Sequence, residues 1–292
     1  MTYTLRRKLM DWLAAYIFIL PVLLGWGIFV GVAMVMSLYF SFTSFNLLKP
    51  PQWIGAINYL KVLKHPDFFR YAVPNTLKYS AVVVPTQTVL SLIFAFALDQ
   101  KIRARDFFRT AFYLPSVTSS VVIGIIFVWL FAPQGVINQI LHLDVNWLNN
   151  PKTSLPTIMV VNIWSTTGTM MLIFLAGLQD IPRQLYEAAS IDGASRLQVF
   201  RYITVPLLRP VIFFVVTLGI IGTFQVFDQI YIMTKGGPLK STMTMVYLIY
   251  FWAFGEVTPD MGRASAAAFI LALAIFAVTM VQRRFLEQDE EV

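Results

Sequence analysis

A chain of 292 residues that is 58% hydrophobic and only 13% charged, with a mean hydropathy of +0.69, lies outside the soluble range and reads as an integral membrane protein. It contains no cysteine, which excludes disulfides, thiolate metal sites and cysteine nucleophiles, and its two histidines, His65 and His142, are expected as solvated loop residues, so no metal site is expected. The net charge of +7 would suggest nucleic acid in a soluble protein; here it reflects arginines at an anionic membrane face, and no nucleic-acid partner is expected.

In chain order, Arg6, Arg7 and Lys8 precede an apolar run over 13–40. The run is too long for a signal peptide and lacks a small-residue cleavage site, so it is read as the first span. Trp12 and Tyr39 stand near its ends, where amphipathic rings prefer the interface. Residues 41–75 are mixed and read as a loop with one short helix after Asn58. The second span is placed at 77–98, kinked at Pro85, and is followed by Lys101, Arg103, Arg105 and Arg109 in one short segment. A third span covers 107–131 with Pro115 interrupting it, a polar stretch covers 133–154, and a fourth span covers 155–178. The fifth is placed at 210–227 and the sixth at 264–281, ending at Arg283, Arg284 and an acidic tail.

Six spans put both termini on one side. Arginines 6, 7, 103, 105, 109, 183, 196, 201, 209, 283 and 284 share that side, against Arg70 and Arg263 opposite, which makes it cytoplasmic. Lys49, Lys61, Lys64 and Lys78 lie on the outer side and run against the rule.

Between the fourth and fifth spans, residues 179–209 carry four arginines and cannot lie in lipid. Pro182 suits a first helical turn with Asp180 ahead as a cap, and Leu185, Ala188 and Ala189 share one face. Asp192-Gly193 is a turn dipeptide. Ser195 with Gln198 three residues on is a capping box that restarts a helix, which Pro206 and Pro210 stop. The stretch reads as a helical docking hairpin, with an amphipathic element lying on lipid headgroups as the competing reading.

At these residues the chain resembles a known family. Glu187-Ala188-Ala189, Gly193 and Ile203-Thr204-Val205-Pro206 are similar to the cytoplasmic EAA loop of ABC importer permeases, with Val205 where the family usually has Leu. Asn58-Tyr59, Asn75-Thr76, Ala176-Gly177-Leu178-Gln179, Leu185-Tyr186 and Gly236-Gly237-Pro238 extend the likeness to the maltose-transporter type, the subunit that pairs with a second homologous permease. The resemblance implies a type I ABC importer fold: an all-α integral membrane domain over 1–292 with six transmembrane helices and a cytoplasmic helical coupling hairpin. It implies two separate ATPase subunits gripped through Glu187, Ala188, Ala189, Asp192 and Gly193, an extracytoplasmic solute-binding protein, and a bacterial inner-membrane location. The chain has no GxxxxGK[ST] phosphate cradle, so it is expected to be non-catalytic, with no cofactor of its own and ATP and magnesium on the partner subunits.

The fourth span carries Asn162, Trp164, Ser165, Thr166, Thr167 and Thr169, with Gly168 allowing a break. Bland packing of hydroxyls competes with a water-filled path. Sugars suit such a lining, because neutral donors and acceptors meet their hydroxyls and aromatic faces cover their C–H side. The resemblance carries a sugar site onto Asn162, Thr166 and Thr169, and onto Thr223, Phe224, Gln225 and Asp228 after the docking loop. Asp228 alone makes a poor proton relay; it either bonds substrate near the outer mouth or caps a helix end. The leading expectation is a carbohydrate importer permease. A polyol or glycerol phosphate importer, an ion-coupled secondary transporter and a polytopic scaffold are the alternatives; a phosphorylated solute would want basic residues in the path, and the spans carry none.

Overall fold

The computed structural model describes residues 2–100 and 103–286; Lys101 and the acidic tail of 287–292 lie outside the described residues. In chain order the elements are α1 (Thr2–Trp26), α2 (Ala33–Ser41), β1 (Thr43–Ser44), β2 (Gln52–Trp53), α3 (Ile57–Lys64), α4 (Val73–Asp99), α5 (Arg105–Val117), α6 (Ser120–Leu130), α7 (Val136–Leu141) and α8 (Ser154–Asp180). They continue as α9 (Arg183–Ile191), α10 (Arg196–Val199), α11 (Val205–Leu207), α12 (Arg209–Phe224), α13 (Asp228–Met233), α14 (Met245–Tyr250) and α15 (Met261–Leu286). Wider π-helical turns bridge α1 to α2, lead into α4, join α10 to α11 and follow α14.

Among the described residues, five helical stretches are long and apolar enough to cross a membrane: Met10–Ser41, Phe68–Asp99, Ser154–Asp180, Arg209–Met233 and Met261–Arg284. The sixth expected span is a bent pair. α5 and α6 meet at 97°, and the break falls at Thr118 and Ser119, which are extended, rather than at Pro115, which lies inside α5. The fifth span also departs from 210–227: α12 ends at Phe224, and the chain resumes as α13 at Asp228. α4 runs helically through Pro85, and α8 is unbroken at Gly168. The polar stretch after the third span contains α7, whose Asn138 receives the indole N–H of Trp147 at 2.7 Å.

The chain forms two compact units, one comprising the residues up to Val62 with Trp252–Phe269, the other Leu63–Phe251 with the chain from Ile270. In the first unit, none of the hydrophobic window of Met10–Ser41 is buried among the described residues, so its stability depends on surroundings outside this chain. Asn58 is the organising polar group there: its buried Nδ2 donates to the carbonyls of Ser41 at 3.0 Å and Thr43 at 2.8 Å, joining α3 to the end of α2. Arg263 stacks 4.5 Å over the ring of Trp252 and pairs with Glu256 at 2.8 Å.

In the second unit, α4 packs along α8 and α12. Ala95, Leu98, Met171, Phe174, Leu175, Leu178, Leu208 and Val215 form a core cluster at one end of these helices. Lipid tails are as apolar as these side chains, so fit between helices, not escape from water, holds the cluster together. Asn75 and Thr76, at the start of α4, anchor the segment leading to α14: Asn75 Nδ2 donates to the carbonyls of Lys240 and Met243, and the amide of Met245 donates to Thr76 Oγ1 at 3.0 Å. Lys240 also pairs with Asp67 at 2.6 Å.

Gly168 permits the tightest of these approaches, because a Cβ there would collide with the carbonyl of Phe112 and come within 2.9 Å of Tyr113 Cα. Gly168→Val is therefore expected to destabilise the α5–α8 contact by about 1–3 kcal/mol, read as a lower thermal midpoint of the detergent-solubilised protein. An unchanged midpoint would show that these helices do not meet at Gly168.

Candidate functional site

The docking hairpin is built from α9 to α11. Pro182 takes the N-cap position of α9, and Asp180 is the last residue of α8 and caps nothing, because Ile181 and Pro182 are extended between the helices. At the elbow, the amide of Ala194 donates to the carbonyl of Ala189 at 2.9 Å and Gly193 adopts φ +74°, a left-handed conformation that glycine takes without a Cβ penalty. The capping box is present in full: the Gln198 amide donates to Ser195 Oγ at 3.4 Å, and the Ser195 amide donates to Gln198 Oε1 at 2.7 Å. Pro206 and Pro210 do not stop the second helix. Each occupies the first turn of a following helix, α11 and α12, where the missing N–H removes no bond.

The hairpin is fastened on its inner side and open on its outer side. Ala189 is buried, Tyr186 Oη lies 3.2 Å from Thr204 Oγ1, Phe200 meets Phe96 of α4 edge to face at 5.5 Å, and Leu208 belongs to the core cluster. Glu187, Ala188, Asp192 and Gly193 are exposed, and around them Ile191 (87% exposed), Leu197 (74%) and Tyr202 (70%) present apolar surface.

The polar residues of the membrane helices divide by what they bond. Ser165 Oγ donates to the carbonyl of Asn162 at 3.0 Å, Thr167 Oγ1 to that of Ile163 at 2.6 Å, and Thr166 Oγ1 both to the Asn162 carbonyl and to Gln87 Oε1 on α4, at 2.8 Å each. Thr223 is buried and donates to Ser80 Oγ at 2.9 Å and to the carbonyl of Gly219. The Thr166 and Thr223 hydroxyls join helices, those of Ser165 and Thr167 turn back onto carbonyls of their own helix, and Phe224 is buried beside Thr223. By contrast, the half-buried carboxamide of Asn162 makes no hydrogen bond among the described residues, Trp164 is 49% exposed with its ring edge-on to Phe127 at 5.2 Å, and Thr169 and Gln225 are exposed. Asp228, in the first turn of α13, accepts a short hydrogen bond from Ser120, the first residue of α6.

Four partners of these residues, Ser80, Gln87, Ser116 and Ser120, were outside the sequence expectation. Ser116 Oγ donates to the carbonyl of Ser165 at 2.7 Å and accepts the amide of Thr169 at 3.1 Å, so it stands astride one α8 backbone pair beside Gly168. That is the role of Gly168: it admits a neighbouring hydroxyl without breaking the helix. Spacing held a usable signal for part of this set. Ser80, Gln87 and Ser91 lie seven and four residues apart in an otherwise apolar helix, which puts them on one face.

A family model described as binding-protein-dependent transport system inner membrane component matches residues 87–288. The chain is 36% identical over 279 residues to the probable ABC transporter permease protein YesP of Bacillus subtilis, covering 93% of this chain and 89% of that one. It is 34% identical over 277 residues to the arabinooligosaccharides transport system permease protein AraP of Halalkalibacterium halodurans, covering 91% and 85%. Its fold matches a chain of a bacterial ABC transporter involved in the import of the acidic polysaccharide alginate, with a TM-score of 0.84 at 24% identity over 99% of this chain and 100% of that one.

Ser195→Ala removes the capping oxygen from the start of α10, a four-residue helix that continues into the following π-helical turn. The expected loss is about 1 kcal/mol, seen as roughly fivefold faster hydrogen exchange of the amides of residues 196–200. No change in exchange would show that the cap does not hold the hairpin.

Proposed function

The chain belongs to the family of binding-protein-dependent transport system inner membrane components, and from that membership we propose that it forms half of the path of an ATP-driven carbohydrate importer and transmits ATP hydrolysis on separate subunits to that path. The other half comes from a second homologous permease, two ATPase subunits hold ATP and magnesium, and a solute-binding protein delivers the sugar from outside. The site is the bacterial inner membrane, with both termini cytoplasmic.

The observation that carries the reading is the hairpin. Glu187 offers a carboxylate for charge-assisted hydrogen bonds, Ala188 lets a partner approach closely, and Ile191, Leu197 and Tyr202 supply the apolar surround that excludes water. Arg196 and Arg201 flank the exposed Leu197 and Tyr202, as an element lying on lipid headgroups would also have them, but the carboxylate of Glu187 on the exposed side of α9 favours a protein partner over an anionic surface. The hairpin lies between α8 and α12 in the chain and is fastened to the core at Leu208, so displacing it moves the two helices that carry the candidate path.

Solute chemistry follows from what these helices present. Asn162, Trp164, Thr169 and Gln225 are neutral, α8 contains no lysine or arginine, and α12 and α13 contain none beyond Arg209. Such a set suits the hydroxyls and C–H faces of a neutral saccharide and offers nothing to a phosphate, which weighs against glycerol phosphate. The naming of AraP for arabinooligosaccharides agrees with this.

The test is purification of the reconstituted complex through this chain with Glu187→Lys. The reversed charge is expected to weaken ATPase-subunit binding by roughly 2 kcal/mol or more, about thirtyfold, and to abolish sugar-stimulated ATP hydrolysis. ATPase subunits that co-purify and respond to sugar equally with Glu187→Lys would overturn the coupling role of the hairpin.

A further inference from the structure

Gln87 is 1% exposed in the middle of α4, where it meets two other spans. Its Oε1 accepts the Thr166 hydroxyl of α8 at 2.8 Å, so that end of the carboxamide faces α8. The other end lies against α12: a Cβ at Gly219 would stand 2.5 Å from Gln87 Nε2, so the amide occupies the space that glycine leaves. Nε2 donates no hydrogen bond among the described residues and is held by this packing. Two further bonds flank this joint on the same face of α4, Ser80 with Thr223 of α12 and Ser91 with the Thr167 carbonyl of α8.

Thr166 has one hydroxyl proton and two acceptors at equal distance, Gln87 Oε1 and the carbonyl of Asn162. Threonine in a helix divides between two side-chain rotamers according to its bonding partners, and Gln87 selects one of them. The orientation of Thr166 beside the unpaired Asn162 carboxamide is thereby tied to the position of Gly219 on α12, the helix that leaves the docking hairpin. We propose that Gln87 is a positioning residue of the solute path, through which α12 sets the orientation of the Thr166 hydroxyl. This rests on the carbohydrate-path reading above and adds to it a residue on a third helix, with a route by which movement of the hairpin reaches the solute. A solute hydroxyl that donates to Thr166 is bound well when Gln87 is in place and less well when Thr166 is free to rotate.

The experiment is saccharide uptake by the full complex in proteoliposomes, resolved into KM and maximal rate. Wild-type uptake of a neutral oligosaccharide tests the underlying reading by itself; its failure would remove both, whereas a defect confined to the variants concerns Gln87 alone. Gln87→Met keeps the side-chain shape and loses the acceptor, and is expected to raise KM about tenfold, the worth of one oriented hydrogen bond. Gln87→Glu keeps an acceptor for Thr166 and is expected to restore a KM within about threefold of wild type, half of that interval on the same logarithmic scale. Gly219→Ala, which displaces Nε2 from the other side, should reproduce the Met variant. Ser91→Ala removes an equally buried bond of the same seam, and is expected to lower the melting temperature without moving KM. The double variant Gln87→Met, Thr166→Val should be no worse than either single one, because both remove one shared interaction. Effects that multiply in the double variant, or a Gln87→Met protein with unchanged KM, would overturn the proposal. Should Gln87→Met not assemble, the Gln87→Glu and Gly219→Ala pair decides it: a KM raised in the second and not the first supports the role, and equal values refute it.

Discussion

In hydrocarbon there is no water to take up a hydroxyl, a carboxamide or a broken helix end, so such a group is stabilised chiefly by a partner in the protein. The packing of the second unit follows from this requirement. Serines of α4, α5 and α6 each reach across to a neighbouring helix: Ser80 to Thr223, Ser91 to the Thr167 carbonyl, Ser116 to α8 on both sides of Gly168, and Ser120 to Asp228. The two breaks in the spans are satisfied by one another, since Ser120 opens α6 after the first break and Asp228 opens α13 after the second. Gly124 on α6 then admits Ile232 of α13, whose Cγ2 would stand 3.0 Å from an added Cβ. Two interrupted helices thus support one another where a single interrupted helix would leave polar groups stranded.

The docking hairpin obeys the opposite rule. Its four arginines keep it out of lipid, yet it leaves Ile191, Leu197 and Tyr202 uncovered. Exposed apolar groups on an otherwise polar segment gain stability only when another surface covers them. The inner fastening at Ala189, Thr204 and Leu208 means that force on that surface is not absorbed within the hairpin. Gly193 sets the angle between its arms, and the capping box at Ser195 restarts the chain after the turn.

Much of this was legible in the sequence where local chemistry decides structure. The capping box at Ser195 and Gln198 and the turn at Asp192-Gly193 follow from neighbouring residues, and the structure agrees with them. What could not be read locally was the effect of partners distant in the chain. Pro115 carries the stronger sequence signal for a break, yet the break lies at Thr118 and Ser119, where an extended backbone directs Ser120 toward a residue more than a hundred positions away. Gly168 suggests flexibility in a string of letters, and its actual role depends on Ser116, which belongs to another helix. Pro206 and Pro210 stop helices in isolation but here start them, because each falls in a first turn. The polar cluster of the fourth span divides the same way: the Thr166 hydroxyl is a joint to α4 and those of Ser165 and Thr167 bond back into α8, whereas the half-buried carboxamide of Asn162 has no partner among the described residues and the indole of Trp164 is exposed.

This division bears on the competing readings of the chain. A scaffold needs only the joints, and Thr166 with Gln87 and Thr223 with Ser80 would satisfy it. It gives no reason for a carboxamide at Asn162 without a partner, nor for an acid at the centre of an exposed hairpin. An ion-coupled carrier needs a membrane-embedded acid able to gain and lose its ion as access changes. Asp228 is the carboxylate in the right region, but it is half-buried and held by Ser120 at the junction of two helices whose packing depends on that bond. An acid so placed ties two broken spans together, and releasing it to carry an ion would loosen the same junction that defines them. Energy is better admitted elsewhere, and the hairpin, fastened to the core within and apolar without, is the part of the chain proposed to receive it.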